Sequence, residues 1–446
     1  MKKEEYLRIL AEQIRCKQAR AQVTQEIRSH IEEQEEFYIS EGLNKEEAQA
    51  EAVRQMGDPV EAGAALDLVH RPRMAWGWIA LIGGLYGAGY ILLNLLQSNF
   101  SKGNFIAGDH VKWMLIGFAV LIGVCYLDYS RIGRWAREIT VAAFIVVFVG
   151  MFIFGQQING ALGWITLPIL SLSLNIRLCI FLFVPLYAAI VYRYHGQGYL
   201  AVGKSLLWML PGLCIALRVT SVLTVLMLFL IYLLILSFAV VKEWFKVSRA
   251  KTLLSLWGGT VLLSGIGYLK LFLFGPEYQR MRVANMLQLE SGGESYQLRL
   301  LKGILEGCRW IGSGEGKMVV KSADRIMEGM DYGLMYITAC YGILVSVLVI
   351  GMLTALFICF MGMSVGQRNR LGSIIGFGCT AAFLVQLLFY VMMNTGILPS
   401  SSVYCPFLTY GGTGVLVTNT LIGLLLSIYR YQDVLLESET ESICVY

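Results

Sequence analysis

The chain has 446 residues, of which 56% are hydrophobic and only 15% charged, where an ordinary soluble protein carries roughly a quarter charged residues. A soluble fold cannot bury that much apolar surface, so a single soluble globular class is excluded. The formal net charge of +5 carries little information until the positions of the basic residues are mapped.

From Met1 to Arg73 the sequence is polar and helical in pattern, with Leu7, Leu10 and Ile14 spaced three or four apart. Further helices are predicted over 22–40 and 45–56, broken at Gly42, and Gly57-Asp58-Pro59 ends the last of them. The charge of this block and its lack of an apolar core segment predict no cleavable signal peptide and an N-terminus held in the cytosol. Its acidic excess argues against nucleic acid or anionic lipid as a ligand, which leaves a cytosolic protein partner for residues 1–73. On the Gly57-Asp58-Pro59 turn after an acidic helix, the block resembles the helical prefix domain of some bacterial permease-like proteins.

Ten apolar segments follow, at 75–96, 111–127, 139–155, 175–192, 205–217, 219–241, 252–274, 332–362, 371–394 and 412–429. Most approach the roughly 20 residues a helix needs to cross hydrocarbon. The expected fold is therefore all-α: a polytopic membrane protein of ten transmembrane helices (74–430) with a small soluble N-terminal helical domain and a short cytosolic tail (431–446). Lysine and arginine are retained on the cytosolic side of short loops. Arg71 and Arg73, then Arg131, Arg134 and Arg137, then Arg193 and Lys204, then Lys242, Lys246, Arg249 and Lys251, then Arg368 and Arg370, and finally Arg430 fall on one side, while loops 156–169 and 395–411 contain none. The chain is thus expected in the bacterial plasma membrane as a multi-pass protein with both termini cytosolic. A segment at 275–330 is far longer than a connection requires and is expected outside the cell. The cysteines sit mostly singly in apolar runs, without metal-ligand spacing; only Cys308 and Cys405 lie in segments expected outside, which leaves a disulfide between them open.

Chemistry concentrates in the C-terminal half. The stretch Asn394-Thr395-Gly396-Ile397-Leu398-Pro399, followed by Pro406-Phe407-Leu408-Thr409-Tyr410-Gly411-Gly412-Thr413-Gly414, places a Tyr-Gly-Gly bend before the last span. Backbone without side chains there can lie close to neighbouring helices or to substrate, or simply form a tight turn. In the long loop stand Pro276-Glu277-Tyr278-Gln279-Arg280-Met281-Arg282, then Tyr296-Gln297, then Ile311-Gly312-Ser313-Gly314 with Lys317. Arg280 and Arg282 could grip a diphosphate through paired donors or contact lipid headgroups. Met330-Asp331-Tyr332 opens the eighth segment; its carboxylate could act as a base or cap the helix start.

These elements, in this order, resemble the FtsW/RodA/SpoVE family of cell-wall synthesis proteins over residues 75–430. The resemblance implies action on a polyprenyl-diphosphate-linked peptidoglycan precursor (lipid II) at the outer face of the membrane, with Asp331 as the base of a glycosyltransferase. It implies substrate contacts from Tyr278, Gln279, Arg280, Arg282, Tyr296, Gln297, Ser313, Lys317, Tyr410, Gly411 and Gly412. A penicillin-binding transpeptidase is implied as a partner; no cofactor or metal site is expected, although a divalent cation on the diphosphate stays open.

The chain also departs from the family pattern. Gly160-Ala161-Leu162-Gly163-Trp164-Ile165 lacks the two arginines of glycine-alanine-arginine-arginine-tryptophan-isoleucine, and Ser173-Leu174-Asn175-Ile176 lacks the glutamate of glutamine-proline-serine-glutamate. No acidic residue lies between Ala216 and Val222, and Ala339 and Cys340 stand where paired glutamates are expected, although Gly342 matches. Acidic groups in a membrane cavity are costly and usually functional. Their loss leaves two alternatives to the enzyme, a non-catalytic scaffold or regulator of division, elongation or sporulation, and a flippase for the lipid-linked precursor.

Overall fold

The structure is a computed structural model and describes residues 1–99, 107–158, 161–167, 172–219, 221–274, 296–322, 330–398, 403–432 and 434. It divides into two compact units, Met1–Ala75 together with the C-terminal segment from Ile428, and Trp76–Ser427.

In the first unit four helices, α1 (Lys3–Gln13), α2 (Lys17–Ser40), α3 (Lys45–Gln55) and α4 (Pro59–Val69), enclose a core built on Tyr6, Leu7, Leu10, Ile14, Val23 and Val53. The helix starts follow local chemistry. Asn44 Oδ1 accepts from Glu47 N–H at 2.9 Å to cap α3, and Asp58 Oδ1 accepts from Val60 N–H at 3.0 Å with Pro59 at the first position of α4. Arg15 N–H donates to the buried Asp67 Oδ1 at 2.8 Å, tying the end of α1 to α4. Tyr431 and the buried Val434, from the segment expected as a cytosolic tail, pack on this core.

In the second unit, helices α5 (Trp76–Asn99), α6 (Ala107–Tyr126), α7 (Ser130–Phe154), α8 (Ile176–Arg193), the pair α9 (Tyr199–Leu207) and α10 (Leu210–Arg218), and α11 (Val222–Val241) are followed by α12 (Arg249–Phe274). Beyond the long segment come α13 (Tyr296–Glu306), α14 (Gly316–Ser322), α15 (Gly333–Tyr341), α16 (Ile343–Val365), α17 (Arg370–Asn394) and α18 (Gly412–Arg430). Among the described residues nine helices are long and apolar enough to cross a membrane, counting α9 with α10 as one; α12, over the seventh expected segment, is not among these nine. The chain is a multi-pass membrane protein. The apolar windows of α17 and α18 are 72% and 78% buried against 11% for α7, which puts α17 and α18 at the centre and α7 at the periphery. Polar side chains tie the helices: Asn419 Nδ2 on α18 donates to Tyr86 Oη on α5 at 2.7 Å, and Trp257 Nε1 on α12 to Ser237 Oγ on α11 at 3.1 Å.

Three expectations change. The loop expected at 156–169 forms an antiparallel sheet, β1 (Gly155–Ile158), β2 (Ala161–Leu167) and β3 (Leu172–Asn175), in the order β1-β2-β3. The fifth segment starts at Tyr199 rather than 205 and breaks at Trp208-Met209, because Pro211 has no N–H to donate to the Leu207 carbonyl four residues back and its ring crowds that carbonyl. The eighth segment, expected to run unbroken over 332–362, is split. Gly342 takes φ +97°, and a Cβ on it would lie 2.7 Å from Trp310 O and 2.9 Å from Ile311 Cα, so only glycine fits there. The membrane helix begins at Ile343, and Gly333–Tyr341 is a separate, almost wholly buried helix of nine residues. Cys308 and Cys405 are both free thiols, Cys405 fully buried, so no disulfide joins them.

Candidate functional site

Asp331 stands half-buried in a single 3-10 turn, Met330–Tyr332, immediately before α15. It does not begin a membrane span, as the unbroken pattern suggested, but sits on the shoulder of the short helix. That shoulder is fixed from the central helix α17. Leu334 N–H donates to Tyr390 Oη at 3.0 Å, and Met335 N–H to Asn394 Oδ1 at 3.1 Å. Asn394 Nδ2 donates in turn to the Asp331 carbonyl at 3.2 Å and to Tyr390 O at 2.9 Å. Two of the free donors that begin any helix are therefore satisfied without the Asp331 carboxylate.

The far end of α15 is fixed by the loop between α13 and α14. Gly312 N–H donates to Tyr341 O at 3.1 Å, and the first donors of α16, Ile343 and Leu344 N–H, reach Arg309 O and Trp310 O at 3.0 and 3.1 Å. The Ile311-Gly312-Ser313-Gly314 motif thus binds the helix break through its backbone, while Ser313 is exposed and Lys317 half-buried on α14. Tyr296 and Gln297 open α13. Tyr278, Gln279, Arg280 and Arg282 lie outside the described residues.

The Tyr-Gly-Gly segment is packed from several sides. Cys405 N–H donates to Thr409 Oγ1 and Thr409 N–H to Cys405 O, both at 3.0 Å, closing a tight turn in which Phe407 takes φ +67°. Leu408 O lies 3.4 Å from where a Cβ on Gly333 would stand, which places this turn against the start of α15. Tyr410 is half-buried, its ring 5.3 Å from that of His110 on α6; burial first, and then the negative charge of Asp109, raise its phenol above the ordinary range. Gly412 opens α18 directly against the Trp113 ring, leaving no space for a side chain. Thr413 Oγ1 accepts from Asn175 N–H at 3.1 Å and so joins this segment to the end of β3.

That junction reveals a residue to which sequence reasoning assigned no role. Arg177, set just past β3 with Asn175 capping its N–H at 3.1 Å, directs its guanidinium at Gly163 on β2. A Cβ on Gly163 would lie 3.7 Å from Arg177 Nε and 3.8 Å from Nη2. Position 163 is one of the two at which the expected arginines are missing, so a guanidinium from the neighbouring strand end fills that space. Arg177 Nε is buried with no hydrogen-bond partner among the described residues. The side chain lines a water-sized cavity of about 10 Å³ with Thr224, Gln386 and Tyr404. The signal in the sequence was a basic residue at the start of an apolar span, ordinarily explained by the side chain reaching toward the interface. By contrast, Ala339 and Cys340 are buried apolar positions on α15, and no group of three or more His, Cys, Asp or Glu suited to a metal ion occurs among the described residues.

Known proteins share this architecture. A chain from a peptidoglycan synthase complex, solved to describe the coordination of polymerization and crosslinking, superposes with a TM-score of 0.64 at 17% identity, covering 80% of this chain and 98% of that one. The rod shape determining protein RodA of Thermus thermophilus superposes at 0.56 and 15% identity, covering 80% and 97%. Among curated proteins, the probable peptidoglycan glycosyltransferase FtsW of Aliivibrio salmonicida is 21% identical over 381 residues (81% of this chain, 90% of the relative). That of Alcanivorax borkumensis is 24% identical over 379 residues (80% and 92%). With the family model for cell cycle proteins matching residues 79–434, the chain belongs to the FtsW/RodA/SpoVE family.

Proposed function

We propose that this protein polymerises peptidoglycan from a polyprenyl-diphosphate-linked precursor, with the Asp331 carboxylate removing the proton from the acceptor sugar hydroxyl as that oxygen attacks the anomeric carbon and the lipid diphosphate departs. The observation that carries the reading is the position of Asp331: a half-buried carboxylate whose backbone is held from α17 by Asn394 and whose helix abuts the Leu408 turn. Relatives that align with four-fifths of the chain are named probable peptidoglycan glycosyltransferases. Arg177, beside Gly163, is a cation suited to the diphosphate; Tyr410, Lys317, Arg280 and Arg282 would add donors. A divalent cation would serve the same diphosphate. A penicillin-binding transpeptidase would receive the strand.

A second reading has an observation in its favour. At positions 339 and 340, where the resemblance expects two glutamates, buried alanine and cysteine stand instead. The protein would then be a non-catalytic scaffold of the synthesis machinery. Asp331→Asn separates the readings because it keeps side-chain size and removes the base. In a purified assay with labelled precursor, an enzyme should lose about 10²- to 10⁴-fold in polymerisation rate at unchanged folding. A wild type that polymerises nothing supports the scaffold, and a variant that polymerises as fast as wild type sinks the role of Asp331.

The basic loops orient both termini toward the cytosol in this reading, so the α13–α14 region faces outward. In intact cells, Ser313→Cys should react with a membrane-impermeant thiol reagent above the wild-type background. Labelling only after lysis would reverse the orientation and separate Asp331 from an external substrate.

A further inference from the structure

A second concave site is built where α8 and α11 end and α17 begins. Its two loops are stitched together by backbone bonds. Gly196 N–H donates to Trp244 O at 2.7 Å and Lys246 N–H to Gln197 O at 2.9 Å. Arg370, the first residue of α17, donates from Nη1 to His195 Nε2 at 2.9 Å, which fixes that ring nitrogen as an acceptor. Trp244 and Phe245 are buried beneath, Trp244 meeting the rings of Tyr192 and Phe238 edge-on at 6.1 and 5.9 Å. Together these groups line an open cleft of about 400 Å³, formed by His195, Lys242, Glu243, Trp244, Lys246 and Arg370.

The lining holds three permanent cations and one carboxylate, and that carboxylate is engaged elsewhere, since Glu243 is ion-paired with Arg249. The backbone that presents the lysines is unusual. α11 ends with Trp244 N–H on Ala239 O and Glu243 N–H on Val240 O, both at 3.1 Å, the pair of bonds that closes a Schellman turn. The residue at the left-handed position of that turn is ordinarily glycine, but here Glu243 takes it, at φ +58°. The turn sends Lys242 and Lys246 to opposite ends of one five-residue bend around the cavity. Basic residues at a helix C-terminus are favoured by the helix dipole and by membrane topology alone, but neither effect builds a concave cleft with cations from two chain segments or engages its carboxylate with Arg249.

We propose that this cleft binds a phosphate-bearing anion, held by the ammonium groups of Lys242 and Lys246 with the positive charge of Arg370 beside them. The volume lies at the lower end of the range for small-molecule sites, enough for a phosphorylated headgroup or a small soluble phosphate compound and too small for acyl chains as well. The lysines supply two point charges suited to a phosphate group, and the arginine adds a third positive charge to the same cleft.

The test uses the full-length protein in nanodiscs. One arm measures calorimetric binding of inorganic pyrophosphate to protein in pure phosphatidylcholine discs. The other measures retention of phosphatidylglycerol on the protein from mixed discs by native mass spectrometry. Saturable binding in the first arm identifies a soluble ligand, and retention in the second alone identifies a lipid headgroup. In whichever arm binding is seen, the double variant Lys242→Gln, Lys246→Gln should bind about tenfold more weakly or worse, the loss expected for a hydrogen bond to a charged group. The control Lys204→Gln, Lys251→Gln removes the same charge from exposed positions outside the cavity and should stay within about twofold of wild type at the precision of such measurements. Equal weakening in both variants, or no binding in either arm, overturns the proposal. Unfolding temperatures of the two variants, both made at exposed positions, confirm that folding is not the cause.

Discussion

Asn394 holds the site together, and its replacement is the sharpest test of the architecture. The side chain is buried, and Asn394→Leu keeps its branched outline, in a somewhat larger volume, while removing its bonds to Met335 N–H, the Asp331 carbonyl and Tyr390 O. The Tyr390 carbonyl retains its own helical bond, so the cost falls on the other two groups. Each buried group left unpaired costs about 1 to 3 kcal/mol, or about 2 to 6 kcal/mol together. Polar bonds between membrane helices average only about 0.6 kcal/mol when the unfolded state in the membrane finds other partners. The two magnitudes differ enough to be told apart: a loss above about 2 kcal/mol means that the start of α15 cannot find substitutes. Tyr390→Phe leaves Leu334 N–H unpaired, at about 1 to 3 kcal/mol, and also removes the hydrogen bond of the Tyr390 hydroxyl with Thr409. Unfolding of purified protein in mixed micelles of increasing denaturing detergent gives both values. Because Asp331 is tethered through its carbonyl, Asn394→Leu should also slow polymerisation about 10²-fold at a temperature where the variant is folded, the price of a misplacement near 1 Å. An Asn394→Leu protein within about 0.5 kcal/mol of wild type, near the usual effect of surface substitutions, would refute the reasoning.

Gly342→Ala forces a side chain into a conformation that nearly excludes one and against Trp310 O, and should destabilise by about 2 to 3 kcal/mol in the same unfolding assay. Gly351→Ala, in open space within α16, should be neutral or stabilise by up to about 1 kcal/mol; equal effects at the two glycines would remove the argument for a required break. Arg177→Gln should lower polymerisation about tenfold or more, the loss expected when a charged hydrogen bond is removed. Adding Gly163→Arg should restore part of it, since the two positions share one space; an Arg177→Gln protein as active as wild type, or a double variant with no recovery, would deny the guanidinium that role.

The spans were legible because the bilayer imposes one demand, a long apolar run, and α5, α11 and α17 satisfy it in consecutive residues. The caps at Asn44 and Asp58-Pro59 were equally local, each decided by its own side chain and the next few backbone groups. What stayed hidden depended on partners distant in the chain. Nothing in Tyr341-Gly342-Ile343 interrupts the apolar pattern; the break exists because residues 309–312 occupy the place of the preceding turn. The sheet was hidden because short strands in an apolar connection lack the alternation of a half-buried strand. Arg177 was given no role because only the antiparallel register, which pairs Trp164 with Asn175, brings it to Gly163. The Tyr-Gly-Gly motif was readable as a site of close backbone approach, but its neighbours Trp113, His110 and Asn175 were not.

The split at Gly342 also sets an order of assembly. α15 has nine residues, about 14 Å of helix at 1.5 Å per residue, less than half the roughly 30 Å of hydrocarbon. It cannot be threaded across the membrane as an independent span. Its first donors take their partners from Tyr390 and Asn394, more than fifty residues further along the chain. During synthesis, then, the segment that carries Asp331 has to wait at the bilayer surface until α17 has been inserted. The candidate base reaches its final position as one of the last acts of biogenesis, and an incomplete chain is kept from presenting it.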